Sequence, residues 1–527
     1  MKVAIIGGGL GGLSAAVTLA KHGVDVRLFE KNEHFGGKMM SVDESGFHFD
    51  FGPNTITMPE VFQDVIRQGG LEPREELPFA KIVTHTRNEF YDGTTFDFST
   101  DQTYMKRQLE RMDPKGHVMY EDFLIEIERL YHLSQKHFLH RTFNGWLDYL
   151  SPSLAKSMTK VRPLESMDHF FRRYFSNPKI IQSLNRYSTY IGSNPYQAPA
   201  TFSMIGHLEW NDGVYFVRGG NTRIADRFVK AAENVGVHLY SGTKINHILH
   251  ENQRVTGVET EDGERYEADH VILNGDLLHS VPELIDSEQR RNMTNRKLKG
   301  YDPSISAFVI MAGLDTKLSR LKHHHLFFSK DYKKEFNVLK SGYYADDPTI
   351  YICTSSKSDY SVSSQGDNCF ILVNAPALNE KDGYDKQGYK NHIYDRLQEA
   401  GVPIKDHIQV EKVWDPADIQ SHFGAYRGSL YGPSSNRRSQ AFMRPFNKSQ
   451  DLDGLWFCGG EYTPGRRVSD GRFERTERRQ RNSRKDCPNR ITPPLFRQAK
   501  TGGVRNGEEQ TQPTEKRRKK ADESHNQ

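Results

Sequence analysis

Apolar residues run without interruption from Val3 to Ile6 and stop at a cluster of glycines. From Leu13 they return in a different rhythm, Leu13, Ala16, Val17 and Ala20, the three-and-four spacing of a helix with one apolar face. A second short apolar stretch, Val24 to Phe29, predicts another strand. The same grammar returns after a long insertion: VYFVRGG from Val214 to Gly220 predicts a strand, and Asn221 to Glu233 has helical periodicity through Ile224, Ala225, Phe228 and Val229. The stretches VGVHLYSGTKINHILHE and RVTGVETEDGERYEADHVILNGD then alternate apolar and polar residues between Gly and Asp-Gly turns, as strands and hairpins do. Residues 104 to 190 differ, being helix-rich with aromatic and basic residues mixed. Phe170, Phe171, Tyr174 and Phe175 lie there beside Arg172 and Arg173. Two readings stand for this cluster, a membrane-facing or substrate-lining cap and an ordinary amphipathic core helix; the second is preferred.

The first glycine cluster has chemical meaning because of what surrounds it. Gly7, Gly9 and Gly12 form G-x-G-x-x-G between strand and helix, and Glu30 closes the following strand. Strand, tight turn, helix, strand and terminal acid make a dinucleotide-binding unit. Gly7 makes the turn, Gly9 lets backbone approach a pyrophosphate, and Gly12 lets helix pack on strand. The helix N-terminus offers unpaired N–H groups and a positive dipole end to the phosphates. Glu30 is placed to accept hydrogen bonds from a ribose diol.

Composition narrows the setting. With 527 residues the chain is long enough for two to four domains and a deep core. No window approaches eighteen uncharged apolar residues, so no transmembrane helix is expected, and the first strand occupies the place of a signal peptide. Cys353, Cys369, Cys458 and Cys487 are scattered without C-x-x-C spacing, which suits a reducing, cytoplasmic setting and supports neither a disulfide framework nor a zinc site. His323, His324 and His325 are adjacent, so in a strand they alternate faces and cannot all converge on one metal. No metal is expected.

Gly36-Gly37-Lys38 forms a second glycine pair with a basic residue, followed by Gly46-Phe47 and Asp50-Phe51-Gly52-Pro53. This resembles the extended FAD fingerprint of glutathione-reductase-like and amine-oxidase-like flavoproteins. The resemblance implies that Lys38 lies near the cofactor phosphates, that Gly52 and Pro53 line the flavin, and that Ile245 supplies a backbone contact to the adenine. Leu455 to Gly465, LWFCGGEYTPG, resembles the strand–glycine–acid segment that binds the ribityl chain, with Gly459 and Gly460 allowing close approach and Glu461 accepting from a ribityl hydroxyl. The segments DFGPNTITMP, YIGSNPYQAPATFSMI, FVRGGNTRIADRF, DDPTIYICTSSKSD, VWDPADIQSHFGAYRGSLYG and AFMRPFNKSQDLDGLWFCGGEYTPG together resemble the phytoene desaturase and carotenoid oxidoreductase family. The similarity is nearest to bacterial diapocarotenoid desaturases and oxygenases.

That resemblance implies an α/β fold: a Rossmann-like FAD-binding domain with an inserted mixed sheet and a helical substrate and membrane domain. The expected FAD-binding domain is discontinuous, residues 1–85, 214–290 and 430–465. Residues 86–213 and 291–429 form the substrate and membrane-associating domain. The implied function is FAD-dependent desaturation or terminal oxidation of an acyclic carotenoid such as phytoene, diapophytoene or diaponeurosporene, with a hydrophobic polyene as partner, peripheral membrane association and no nucleic acid. A polyene without ionisable groups needs apolar walls rather than acid–base residues, and no catalytic dyad is identified; Asp415, Asp418 and Tyr426 read as structural. The electron acceptor stays open. Rival readings are another flavin oxidase, of amine or protoporphyrinogen oxidase type, and a flavin-less prenyl-binding protein of the GDP-dissociation-inhibitor kind.

After Gly465 the chain departs from the family. Residues 466–527 carry 18 Lys and Arg against 9 Asp and Glu, with few apolar residues, the composition of a disordered basic tail. Arg466 to Arg479 can be back-translated with permitted codons and read one base later as GGSPMVVSNGQNVA. Joined to Pro464-Gly465 this restores PGGGSPMVVSNGQNVA, the continuation the family leads one to expect. A one-base insertion near Gly465 is inferred, which makes the tail an out-of-frame translation and can leave the chain as written inactive.

Overall fold

The computed structural model describes residues 1–139, 142–379 and 383–460. The opening apolar run forms the strand Lys2–Ile6, central in a five-stranded sheet ordered Leu455–Phe457, His270–Leu273, Lys2–Ile6, Asp25–Phe29, His238–Tyr240. Every pairing in it is parallel. Parallel strands require covered faces. The helices Leu10–Lys21 and Arg223–Asn234 cover one, packing Leu13, Ala16, Val17, Ile224 and Phe228 against Val3, Ile5, Val26 and Leu28. On the other face Ala4, Phe29, Val271 and Leu273 meet Leu277, Leu278 and Val281 of the helix Leu277–Leu284, together with the antiparallel three-stranded sheet spanning Ile245 to Glu267.

The intervening segments build a seven-stranded sheet ordered Ile408–Trp414, Ser306–Leu314, Asn368–Ala375, Ile350–Cys353, His324–Phe327, Thr84–Glu89, Thr95–Ser99. All its pairs are antiparallel except His324–Phe327 with Thr84–Glu89. Ser306–Leu314 lies between two neighbours, and all nine of its residues are buried.

A helical layer packs beside this sheet. Pro114–Ser134 starts on a proline at its first turn, where a missing N–H costs nothing, and is capped by the Asp113 side chain accepting from Gly116 N at 3.0 Å. The same carboxylate accepts from Ser176 N and Asn177 N, at 2.7 and 2.8 Å, and so ties this helix to Met167–Tyr174. Phe170, Phe171, Tyr174 and Phe175 are buried in one core with Phe123, Leu130, Tyr187 and Trp210. Arg172 and Arg173 point outward onto Asp168 and Glu165. The basic-aromatic cluster is therefore an amphipathic core helix, not a lipid-facing surface. Among the described residues, no helix is long and apolar enough to cross a membrane.

Candidate functional site

The glycine turn after Lys2–Ile6 lies at the carboxyl ends of the parallel strands, where open α/β sheets place their ligands. Gly7 has φ +102°, a conformation that strains any side chain. A Cβ on Gly12 would stand 2.1 Å from Gly7 O, so only glycine lets the helix come this close to the turn. Gly9 caps the helix Leu10–Lys21 without a side-chain hydrogen bond, leaving its first N–H groups to the adjoining cavity. The second glycine pair returns here: Gly36 N donates to Gly8 O at 2.8 Å, and a Cβ on Gly37 would stand 3.1 Å from Gly9 Cα. Two glycine loops thus form one cradle with no side chain between them.

Glu30 is buried at its rim. One carboxylate oxygen accepts from Gly8 N at 2.8 Å and the other from Asn32 N at 3.0 Å, which fixes the group while leaving further lone pairs free. Asn274 donates from Nδ2 to Gly7 O at 3.1 Å and accepts from Cys458 Sγ at 3.2 Å, holding the glycine turn between two strand ends. Asp276 caps the helix Leu277–Leu284, accepting from Leu278 N and His279 N, and also accepts from Tyr426 N at 3.0 Å. Burial raises its pKa above the usual carboxylate range, against the pull of Lys38 and these N–H donors.

These residues enclose a cavity of about 390 Å³. Of the residues singled out from the sequence, Gly7, Gly9, Glu30, Lys38, Pro53, Ile245 and Gly460 line it. Gly12 stands behind the turn, and Gly52 lines a neighbouring cavity instead. Glu461 and the tail from residue 466 lie outside the described residues. The Lys38 ammonium donates to Leu430 O at 2.6 Å. Asp276, His279 and the turn Phe423-Gly424-Ala425 also line the cavity and were not foreseen. The Gly275-Asp276 step at a strand end, before an apolar helical run, was the available signal for the first two.

The neighbouring cavity, about 260 Å³, shares Pro53 with the first. Its walls include Ile305, Leu326, Phe370, Leu372 and Leu430 and the phenols of Tyr190, Tyr332, Tyr351 and Tyr431. Among the described residues, Arg186 is the only charged side chain in the lining. It is held by Glu209 at 3.3 Å, which also accepts from Tyr187 and Tyr190. Burial works to lower the Arg186 pKa, but Tyr190 and Glu209 outweigh it and the guanidinium stays charged.

The model for flavin-containing amine oxidoreductases matches residues 10–470. This chain belongs to that family. It is an FAD-dependent oxidoreductase with the amine-oxidase fold. The chain is 30% identical to a 4,4'-diapolycopene oxygenase of Methylomonas sp, over 88% of this chain and 94% of that protein. It is 29% identical to a 4,4'-diaponeurosporene oxygenase of Staphylococcus haemolyticus, covering 88% and 93%. A carotenoid 3,4-desaturase of Haloarcula japonica is 31% identical, covering 88% and 94%. Among solved structures, an oxidoreductase from Methanosarcina mazei matches with TM-score 0.57 at 16% identity, over 90% of this chain and 100% of that one. A putrescine oxidase variant matches with TM-score 0.56 at 13% identity, over 91% and 99%. These two likenesses concern fold alone.

The expected structural roles of the C-terminal acids are visible in the geometry. Asp415 and Asp418 form a reciprocal capping box on the helix Pro416–Phe423, and Tyr426 offers its backbone N–H to Asp276. Strand alternation separates His325, which meets Glu89 at 3.2 Å. It does not separate the other two histidines: the strand begins at His324, and the His323 and His324 rings lie 4.4 Å apart.

Proposed function

We propose that this protein oxidises an acyclic carotenoid, by desaturation or at a terminal methyl group, with FAD held in the glycine cradle. Gly7, Gly9 and the open N-terminus of Leu10–Lys21 would hold the pyrophosphate with Lys38 near the phosphates, Glu30 a ribose diol, Ile245 the adenine edge, and Gly52 and Pro53 the flavin side. The cradle fits such a group: no atom of the described residues lies within 4 Å of a Cβ built on Gly460, and at Gly9 such an atom would meet, among them, only Asn274 Nδ2 and, more distantly, Gly37. Bound there, the cofactor supplies a hydride acceptor.

The observation that carries the substrate reading is the lining of the second cavity. Among the described residues it contains no carboxylate and no histidine, and its one charge is a cation. An ammonium substrate would meet the Arg186 cation with no carboxylate among the described lining residues to offset it, so an amine oxidase reading is disfavoured. Leucine, isoleucine and aromatic walls instead exclude water and align an apolar chain by shape, next to the Pro53 wall shared with the cradle. The relatives named for diapolycopene, diaponeurosporene and carotenoid oxidation support the same class. The test is expression in a host producing diapophytoene or diaponeurosporene, followed by pigment analysis. New unsaturated or aldehyde pigments are expected; turnover of a small amine with unchanged carotenoids would overturn the proposal.

A polyene must be collected from a bilayer, and we propose that the surface around residues 146–164 meets it. Trp146, Leu147, Leu150 and Leu164 are 62%, 83%, 73% and 73% exposed, with Lys156 and Lys160 exposed nearby. Apolar side chains flanked by lysines suit an anionic interface. Vesicle flotation should lose protein when Trp146 and Leu147 are changed to Ser; unchanged flotation would refute this surface.

A further inference from the structure

Behind the wall of the second cavity lies a side-chain cluster that the proposed reaction does not use. His324 and Cys353 are direct cross-strand partners, so their side chains share one face of the seven-stranded sheet. His323 precedes the strand and turns to the same place. One ligand-capable atom from each of the three residues lies within 4.8 Å of the other two, and all three residues are buried. Each imidazole already has its Nδ1 engaged: His323 with Ser358 Oγ at 2.6 Å, His324 with Tyr351 Oη at 2.8 Å. Neither Nε2 has a hydrogen-bond partner, although both are buried. A buried polar atom without a partner costs about 1–3 kcal/mol, and two such atoms belong to the imidazoles of this cluster.

We propose that His323, His324 and Cys353 bind one monovalent copper ion in a buried three-coordinate site, through the two Nε2 atoms and the Cys353 thiolate. The donor set decides the class of metal, since thiolate with imidazole in trigonal array suits soft, thiophilic ions. Charge decides the valence. A monovalent ion on one thiolate and two neutral imidazoles is neutral overall, which a dry site tolerates. A divalent ion would leave one positive charge, and Asp50, paired through one oxygen with His48 at 3.2 Å, adds no ligand atom to the cluster. Both histidines would bind as neutral imidazoles. Cys353 is a free, buried cysteine that would bind as the thiolate. The ion therefore replaces a proton: the S–H bond breaks, the proton leaves to solvent, the S–Cu bond forms, and no electron is transferred. With Nδ1 as the donor to Ser358 and to Tyr351, these two contacts would fix the tautomer that leaves Nε2 for the metal. Tyr351 also lines the substrate cavity, so the ion would sit one side chain behind that wall.

The experiment uses the full chain, expressed in copper- or zinc-supplemented cells and purified anaerobically, with metal content measured after competition with a copper(I) chelator. One copper per chain is expected, with X-ray absorption reporting one sulfur and two nitrogens. Copper should fall at least tenfold in Cys353→Ser and in His324→Asn, each checked for native circular dichroism, and persist in Cys458→Ser and Cys487→Ser. Copper well below one per chain in the unmodified protein, zinc taken in preference, or full copper content in Cys353→Ser would each overturn the proposal.

Discussion

Glu30→Ala separates what the carboxylate does for the protein from what it would do for the cofactor. In the structure it accepts Gly8 N–H and Asn32 N–H. Both bonds exist without any ligand, so their loss lowers the stability of apoprotein and holoprotein alike, by about 1–3 kcal/mol for each N–H left unsatisfied. Only the bond to a ribose hydroxyl enters the difference between bound and free states. A hydrogen bond to a charged acceptor contributes about 1.5–3 kcal/mol, which weakens FAD binding roughly 10- to 150-fold at about 1.4 kcal/mol per tenfold. The assay is titration of apoprotein with FAD by flavin fluorescence, beside thermal unfolding of the apoprotein, in the chain with the frame restored after Gly465. A lowered melting temperature with an FAD Kd changed less than about threefold would refute the ribose role and leave Glu30 as a brace for the glycine turn.

Other outcomes follow from the same geometry. Gly12→Ala puts a methyl 2.1 Å from Gly7 O; it should reduce flavin content and stability together, read by the flavin-to-protein absorbance ratio and thermal unfolding. Asp113→Ala removes a helix cap and orphans the Ser176 and Asn177 N–H groups; a loss of about 3–5 kcal/mol in urea unfolding is expected, and less than about 1 would refute the brace. Burial lowers the His48 pKa, but Asp50 and Asp43 outweigh it and raise it to about 9. Its contribution is thus full below about pH 6.5 and lost as pH rises through about 9. His48→Gln should flatten stability over that window; an unchanged profile would count against it. Deleting one base after the Gly465 codon should restore flavin binding and pigment conversion, and equal activity of the unrepaired chain would end the frameshift reading.

The cradle was legible because its constraints are local. Gly7, Gly9 and Gly12 sit within six residues, and a turn that excludes Cβ atoms leaves its signature in the spacing itself. The strand–helix–strand rhythm around it fixes the parallel sheet almost residue by residue. Phe170, Phe171 and Tyr174 announced a buried helix face by their spacing, but not what they would bury against, because Phe123 and Trp210 come from distant elements. The same limit hid Asp276 and the Arg186–Glu209 pair, whose partners are set by tertiary packing alone.

The histidine run shows where the local rule stops. Alternation across a strand is a statement about residues inside the strand, and it holds for His324 and His325, which face opposite ways. His323 lies one residue outside, where the backbone is free of the pleat, and its ring comes to 4.4 Å from that of His324. One residue of strand boundary decides whether two imidazoles converge or part, and boundaries are the least readable part of a sequence. The cross-strand partner matters equally: Cys353 joins them only because the antiparallel register sets it opposite His324, and a shift of one residue would turn the thiol to the other face. A cluster assembled by a boundary and a register leaves no spacing motif in the chain, whereas a cradle assembled within one turn does.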